Sequence, residues 1–372
     1  MQYASEADHD VVDMVSGNPD WEPPAALREG LEAYAHADTD EFQYPPSEGL
    51  APLREEIATR RGVDPAQVLV TNGAGEANHL AMSEGYRLMP GSEILLTDPV
   101  YPYYAGRAAL LGADTRFVSV TQSGHLDPGA VRERASDDTS VIVINSPNNP
   151  LGVTYDGDTI ETLVDIAEEH DALLVSDEVY DHFDYSGRFR SALSVDSPNR
   201  VVTNSFSKSM AITGWRVGYV VFPHPEAVSD AGLPTGDLWE RARTRHMLTN
   251  VTGSRPAQAA VLHALAHTPP EYYQRARDLL TERIAVFTDA LDEAGAAYTE
   301  PEGAFYVMAR FPGFAGSFEN VERLIDEAGV AGMPGQAFGD SREEWIRFAL
   351  VSPRVEEAAR RLAEFFASQS NG

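Results

Sequence analysis

From about residue 67 to residue 222, short apolar runs alternate with amphipathic stretches, and that alternation sets the expected fold. The runs at 67–71, 93–97, 115–120, 141–144, 172–176, 201–205 and 217–222 are short and apolar, so they are expected to be strands. Helical stretches such as 77–89 and 159–170 lie between most of them. This grammar implies an α/β fold with a mostly parallel sheet flanked by helices. Beyond about Ser254 it changes to long helices at 257–266 and 271–294, short strands near 304–308 and 346–350, and a last helix from about Arg354. The tail and the N-terminal arm are expected to form a smaller α+β domain. The expected division is a large domain over 30–253 and a small one made of 1–29 with 254–372. The region of Gly295 and Pro301 and the loop 313–316 read as internal loops, and no repeat or low-complexity tract interrupts the pattern.

A chain of 372 residues is long enough for two domains and a large core. Its 58 acidic and 28 basic residues give a formal net charge of -30. Such a surface repels nucleic-acid backbones and anionic membranes, so neither is an expected partner. It suits a protein kept soluble in concentrated salt, which points to a halophilic source. The absence of cysteine excludes disulfides, thiolate metal sites and a thiol nucleophile, and no metal site is expected. Residues 1–13 are acidic without an apolar core of signal-peptide length, and no run approaches a membrane span. The expected location is cytoplasmic.

Lys208 is the only lysine in the chain; every other basic residue counted is arginine. An ammonium can lose its proton when desolvated and act as a nucleophilic amine, whereas a guanidinium stays charged. Lys208 is therefore a Schiff-base candidate; the competing reading is a chance survivor of lysine-to-arginine replacement. Arg216 follows in Thr213-Gly214-Trp215-Arg216-Val217-Gly218-Tyr219. Upstream stand Asn145-Ser146-Pro147-Asn148-Asn149-Pro150-Leu151-Gly152 and Ser176-Asp177-Glu178-Val179-Tyr180, each after an apolar run. Together and in this order the blocks resemble the class I/II aminotransferases of fold type I, which use pyridoxal 5'-phosphate (PLP). The resemblance extends from Gly17-Asn18-Pro19-Asp20 to Trp345-Ile346-Arg347-Phe348, nearly the whole chain.

The resemblance implies a role for each matched residue. Asp177 would keep the pyridine nitrogen protonated, so that a carbanion can delocalise into the ring; read alone, it is a strand-end acid. Asn149 and Tyr180 would hold the phenolic oxygen, and Leu151 replaces the threonine usual in that turn. Ala74 and Gly75, in the strand-to-helix link Thr71-Asn72-Gly73-Ala74-Gly75-Glu76, would cup the phosphate at a helix start. Arg216, Ser205 and Ser207 match or neighbour phosphate ligands. By itself Gly73-x-Gly75 resembles a truncated dinucleotide fingerprint, with Asn78 where the third glycine would be. Tyr101 would stack on the ring, although Tyr103 and Tyr104 are close enough to confuse the assignment. Tyr44 matches a tyrosine that the neighbouring subunit contributes, which implies a homodimer with shared active sites. Arg347 would grip the substrate α-carboxylate as a two-point fork, with Asn149 and Gly17 completing the pocket; a surface ion pair is the alternative. Phe305 is expected to line the pocket or to be core.

The implied reaction is amino transfer from an L-amino acid to a 2-oxo acid, with Lys208 holding PLP and then shuttling a proton. A PLP-dependent lyase uses the same residues and stays open as an alternative. A noncatalytic PLP-binding regulator is a further class, although neither an appended helix-turn-helix domain nor a basic patch is visible. An enzyme specific for dicarboxylates needs a second cation, and no block fixes which arginine that is.

Overall fold

The computed structural model describes residues 2–224 and 238–369. After the two-residue strand β1 (Val12–Asp13), the apolar runs become β2 (Val68–Thr71), β3 (Glu93–Asp98), β4 (Asp114–Ser119), β5 (Thr139–Asn145), β6 (Leu173–Asp177), β7 (Arg200–Ser205) and β8 (Gly218–Val221). They form one seven-stranded sheet in the order β2-β8-β7-β6-β5-β3-β4. All pairings are parallel except those of β8, which runs antiparallel to β2 and β7. Every residue of β5, β6 and β7 is buried, as a sheet covered on both faces requires. The edge strand β4 is largely exposed and carries Asp114 and Arg116, charges that blunt an open edge.

A second sheet has the order β12-β13-β10-β9, built from β9 (Ala297–Tyr298), β10 (Tyr306–Arg310), β12 (Met333–Pro334) and β13 (Ile346–Ala349); β11 (Val330–Ala331) pairs with β1. The strand expected near 304–308 starts later, because Ala304 adopts φ 56°, outside the extended region. Phe287, Leu291, Val307, Phe311, Phe348 and Phe366 fill the core of this part together with Val12 and Met14.

The helix Arg255–His267 packs differently from its place in the sequence grammar. Its Ala257, Ala260, Val261, Ala264 and Leu265 join Ala26 and Leu27 of the helix Ala25–Ala35 in the core of the large sheet. A Cβ at Gly30 would lie 2.7 Å from His263 Cβ, so glycine there lets the two helices approach closely.

The parallel register brings chemistry-bearing strand ends together. Asn145 pairs with Asp177, and Asp177 with Thr203, so the carboxyl ends of β5, β6 and β7 finish side by side. Open α/β sheets bind ligands at that edge.

Candidate active site

A cavity of about 650 Å³ opens at this edge, bounded on its other side by Val15 to Asn18, Tyr306, Met333, Phe338 and Arg347. Its size is ordinary for a small-molecule site. Of the residues singled out in the sequence, Gly17, Ala74, Gly75, Tyr101, Asn149, Asp177, Tyr180, Ser205, Ser207, Lys208, Arg216 and Arg347 all line it.

Lys208 lies in a short helix, Phe206–Ser209, that begins where β7 ends, with the Ser205 side chain accepting from Ser207 N at the cap. Its Nζ donates to Gly17 O at 2.6 Å. Burial, then the Arg347 and Arg216 charges, lower its pKa from 10.5 to about 8 against the opposing pull of Asp177. An amine tuned in this way is partly neutral, and hence nucleophilic, close to neutral pH.

Asp177 is 4% exposed. Its Oδ2 accepts from Tyr104 Oη and Asn78 Nδ2, both at 2.6 Å, and its Oδ1 accepts from Val179 N at 3.1 Å. Burial pushes the carboxyl pKa up, while these donors and the Arg107 charge pull it down. The side chain reaches the cavity with no ion-pair partner among the described residues. It is a buried acid placed to meet a ligand cation.

Arg347 sits in β13 and is 6% exposed. Nη1 donates to Asn149 Oδ1 at 3.1 Å and Nη2 to Val15 O at 2.6 Å, while Nε is buried without a partner among the described residues. The guanidinium lies 4.6 Å from the Tyr306 ring centroid and 5.1 Å from that of Phe338. Burial lowers its pKa against the smaller opposing pull of the Tyr306, Tyr180, Tyr101 and Asp13 side chains, and among the described residues no carboxylate forms an ion pair with it. Arg347 is therefore not a surface ion-pair residue, and a buried, half-satisfied guanidinium facing a cavity can receive a carboxylate.

The strand-to-helix link after β2 forms a cup. Gly73 caps the helix Ala74–Leu88 with φ 79°, and a Cβ there would lie 2.4 Å from Arg216 Nη2, so only glycine admits the guanidinium. The N–H groups of Ala74 and Gly75 have no acceptor within the helix and are free to hold an anion. Glu76, in the same turn, would repel that anion, but its carboxylate accepts from Asn72 N, Asn72 Nδ2 and Asn250 Nδ2 and contacts His246 Nδ1.

Tyr101 precedes the helix Pro102–Leu111, and burial raises its pKa to about 12, so it stays a neutral ring. Tyr180 Oη lies 3.1 Å from Tyr306 Oη. Two expected residues do not reach the cavity wall. Phe305 is buried behind it, edge-on to Tyr180 at 5.2 Å, and the next residue along the chain, Tyr306, lines the wall instead. Adjacent side chains near a strand face opposite ways, which accounts for the exchange. Tyr44 is 80% exposed and stands outside the cavity of its own chain.

Asn78, Tyr104, Arg107 and Tyr306 line the cavity without having been assigned a role from the sequence. Tyr104 and Arg107 sit three residues apart on the helix Pro102–Leu111, so helical spacing from Tyr101 is the signal that could have found them.

The family model for aminotransferase class I and II matches residues 9–365. The chain belongs to this aminotransferase family. It is 33% identical to the aspartate aminotransferase of Thermotoga maritima, over 97% of this chain and 92% of that one. It is 31% identical to the aspartate/prephenate aminotransferase of Thermus thermophilus, over 95% of this chain and 90% of that one. Among solved structures, the aromatic aminotransferase of Pyrococcus horikoshii superposes with a TM-score of 0.87 at 28% identity, covering 99% of each chain. The Thermus thermophilus aspartate aminotransferase with maleate gives 0.86 at 29%, covering 96% of this chain and 91% of that one. The protein is thus an enzyme that transfers amino groups, and PLP is its expected cofactor.

The aminotransferase cavity fits that cofactor. An acid without a cationic partner, an anion cup that only glycine at 73 permits, an aromatic ring and an amine of lowered pKa all face the same space. No helix among the described residues is long and apolar enough to cross a membrane.

Proposed function

We propose that the enzyme moves the amino group of an acidic amino acid, aspartate or glutamate, to a 2-oxo acid. Arg347 would take the α-carboxylate and Arg107 the side-chain carboxylate. Arg107 is the observation that carries this reading. It lines the cavity and, among the described residues, has neither a hydrogen-bond nor an ion-pair partner; its guanidinium lies 5.9 Å from the Tyr103 ring centroid. In a chain with 58 acids against 28 bases, a cation left unpaired in the pocket is suited to an anionic ligand. The names of the relatives, aspartate and aspartate/prephenate aminotransferases, support the same substrate class.

PLP, when bound, supplies the electron sink for a carbanion at the substrate α-carbon. Asp177 would keep the ring nitrogen protonated, and Tyr180 with Asn149 would hold the phenolic oxygen as an anion. Ala74, Gly75, Ser205, Ser207 and Arg216 would bind the phosphate, and Tyr101 would stack on the ring. Arg347, with Asn149 and Gly17 beside it, orients the substrate so that its α-hydrogen faces Lys208. Lys208 would hold the cofactor, and its Nζ, when free, would move the proton at the substrate α-carbon. The lowered pKa favours the neutral amine that this task needs.

Two copies of the chain are proposed to share their sites, Tyr44 of one reaching the phosphate of the other. Arg255 donates to Asp40 O and Gln43 O, and Thr252 to Pro46 O, so the segment carrying Tyr44 lies against the link between the helices Leu238–Asn250 and Arg255–His267. Phe42, Tyr44, Leu248 and Val251 are exposed on these adjoining elements, as an interface between copies would use them. A cytoplasmic location and adaptation to concentrated salt fit the acidic composition. A two-domain division is proposed as well. The packing favours keeping the helices Ala25–Ala35 and Arg255–His267 with the large sheet rather than changing domain at 30 and 254.

Rapid mixing of the PLP form with aspartate, glutamate or alanine tests the reading. The acidic donors should give the pyridoxamine form and stoichiometric 2-oxo acid at far lower concentrations than alanine, and Arg107→Ala should abolish that preference. Equal dependence on all three donors, or an unchanged preference in the variant, removes the acidic-substrate assignment. Return to the PLP form with release of ammonia would instead mark a lyase.

A further inference from the structure

Asn78 stands where a third glycine would complete the Gly73-x-Gly75 pattern, and amino transfer as set out above gives it no task. It lies in the second turn of the helix Ala74–Leu88, on the buried face, and is itself buried. Nδ2 donates to Asp177 Oδ2 at 2.6 Å, and Oδ1 accepts from Thr203 Oγ1 at 2.7 Å. Thr203 is the residue of β7 paired with Asp177 across the sheet, and it too is fully buried.

Only one orientation of the amide works. Turned over, it would set Oδ1 against the carboxylate, exchanging an attractive contact for a repulsive one. The Thr203 hydroxyl, donating to Oδ1, reinforces the working orientation. Tyr104 brings a second donor to the same carboxylate oxygen. A carboxylate that accepts such bonds is a weaker base. When it shares a proton with a pyridine nitrogen, each added donor favours leaving the proton on nitrogen.

We propose that Asn78, oriented by Thr203, is a positioning residue that holds Asp177 ionised and thereby keeps the proton on the cofactor's ring nitrogen. The proposal rests on the assignment of Asp177 to that nitrogen. Asn78 acts through Asp177 and does not touch the reacting atoms.

PLP labelled with 15N in the ring, reconstituted into the wild-type, Asn78→Leu and Thr203→Val enzymes, reads the proton through the nitrogen chemical shift without turnover. Leucine keeps the approximate volume of asparagine and removes the donor; valine keeps the shape of threonine and removes the hydroxyl. The wild type should show a protonated nitrogen. Asn78→Leu should move the shift toward the unprotonated value, and Thr203→Val should move it less in the same direction. Loss of one hydrogen bond to a charged group should slow the amino-donor half-reaction of Asn78→Leu roughly tenfold to hundredfold. That loss should vanish with a cofactor analogue carrying CH in place of the ring nitrogen. A nitrogen equally protonated in all three enzymes overturns the role of Asn78, and so does a rate loss that persists with the analogue. A nitrogen unprotonated in the wild type overturns the underlying assignment of Asp177. If Asn78→Leu does not fold, Thr203→Val carries the decision.

Discussion

Lys208 should cost the cofactor-free protein stability, and the cost should depend on pH in a direction fixed by its environment. Burial and the Arg347 and Arg216 charges lower its pKa from 10.5 to about 8 in the folded protein. The gap corresponds to about 3 kcal/mol. Below the folded value both states carry the proton and the cost is fully present. Between about 8 and 10.5 the unfolded chain binds more protons, so stability rises with pH, and above 10.5 the cost is gone. Lys208→Met removes the ammonium but also its hydrogen bond to Gly17 O, which offsets about 1 to 2 kcal/mol. The variant should therefore be more stable than the wild type by about 1 to 2 kcal/mol near about pH 7. Its relative stability should fall by about 2 kcal/mol on going to about pH 9.5. Urea unfolding of both cofactor-free proteins at the two pH values, in the same salt, measures the difference directly, because contributions common to both cancel. A difference that is constant with pH would show that the amine is not destabilised in its pocket, and the case for a neutral, nucleophilic Lys208 would lose its physical basis.

Arg347→Ala should weaken the productive binding of every amino donor by about 2 to 5 kcal/mol while PLP stays bound. Single-turnover spectra over a range of donor concentrations check this, and an unchanged donor dependence would return Arg347 to a purely structural role. Net charge of -30 should make the midpoint of thermal unfolding rise with KCl up to molar concentrations, where the Debye length falls to about 3 Å. A flat or falling midpoint in a salt series would contradict the proposed adaptation.

The fold was legible because β5, β6 and β7 are buried on both faces and therefore read as uninterrupted apolar runs. Asp177, Asn149, Lys208 and Arg216 were legible because each belongs to a block of fixed local geometry, a strand end or a tight turn, that leaves a sequence signature. Asn78 and Arg107 were not. Each is a single polar residue on a helix, and its importance comes from partners distant in sequence: Asp177 and Thr203 for Asn78, and the cavity itself for Arg107. Of the two places open to Phe305, the structure takes the core one, and Tyr306 faces the cavity instead. The helix Arg255–His267 reads as part of the tail, yet its small buried face packs on Gly30 and its neighbours beside the large sheet. Periodicity shows that a helix has an apolar face but not which core receives it.

The bond between PLP and Lys208 is central to the proposed chemistry. Borohydride reduction of the holoenzyme, followed by peptide mapping, should place one pyridoxyl group on the peptide containing Ser205 to Ser209, and Lys208→Arg should show none. Because Lys208 is the only lysine, the N-terminal amine is the sole other amine able to form such a bond. Label at the N-terminus, or reducible label surviving in Lys208→Arg, would contradict the account.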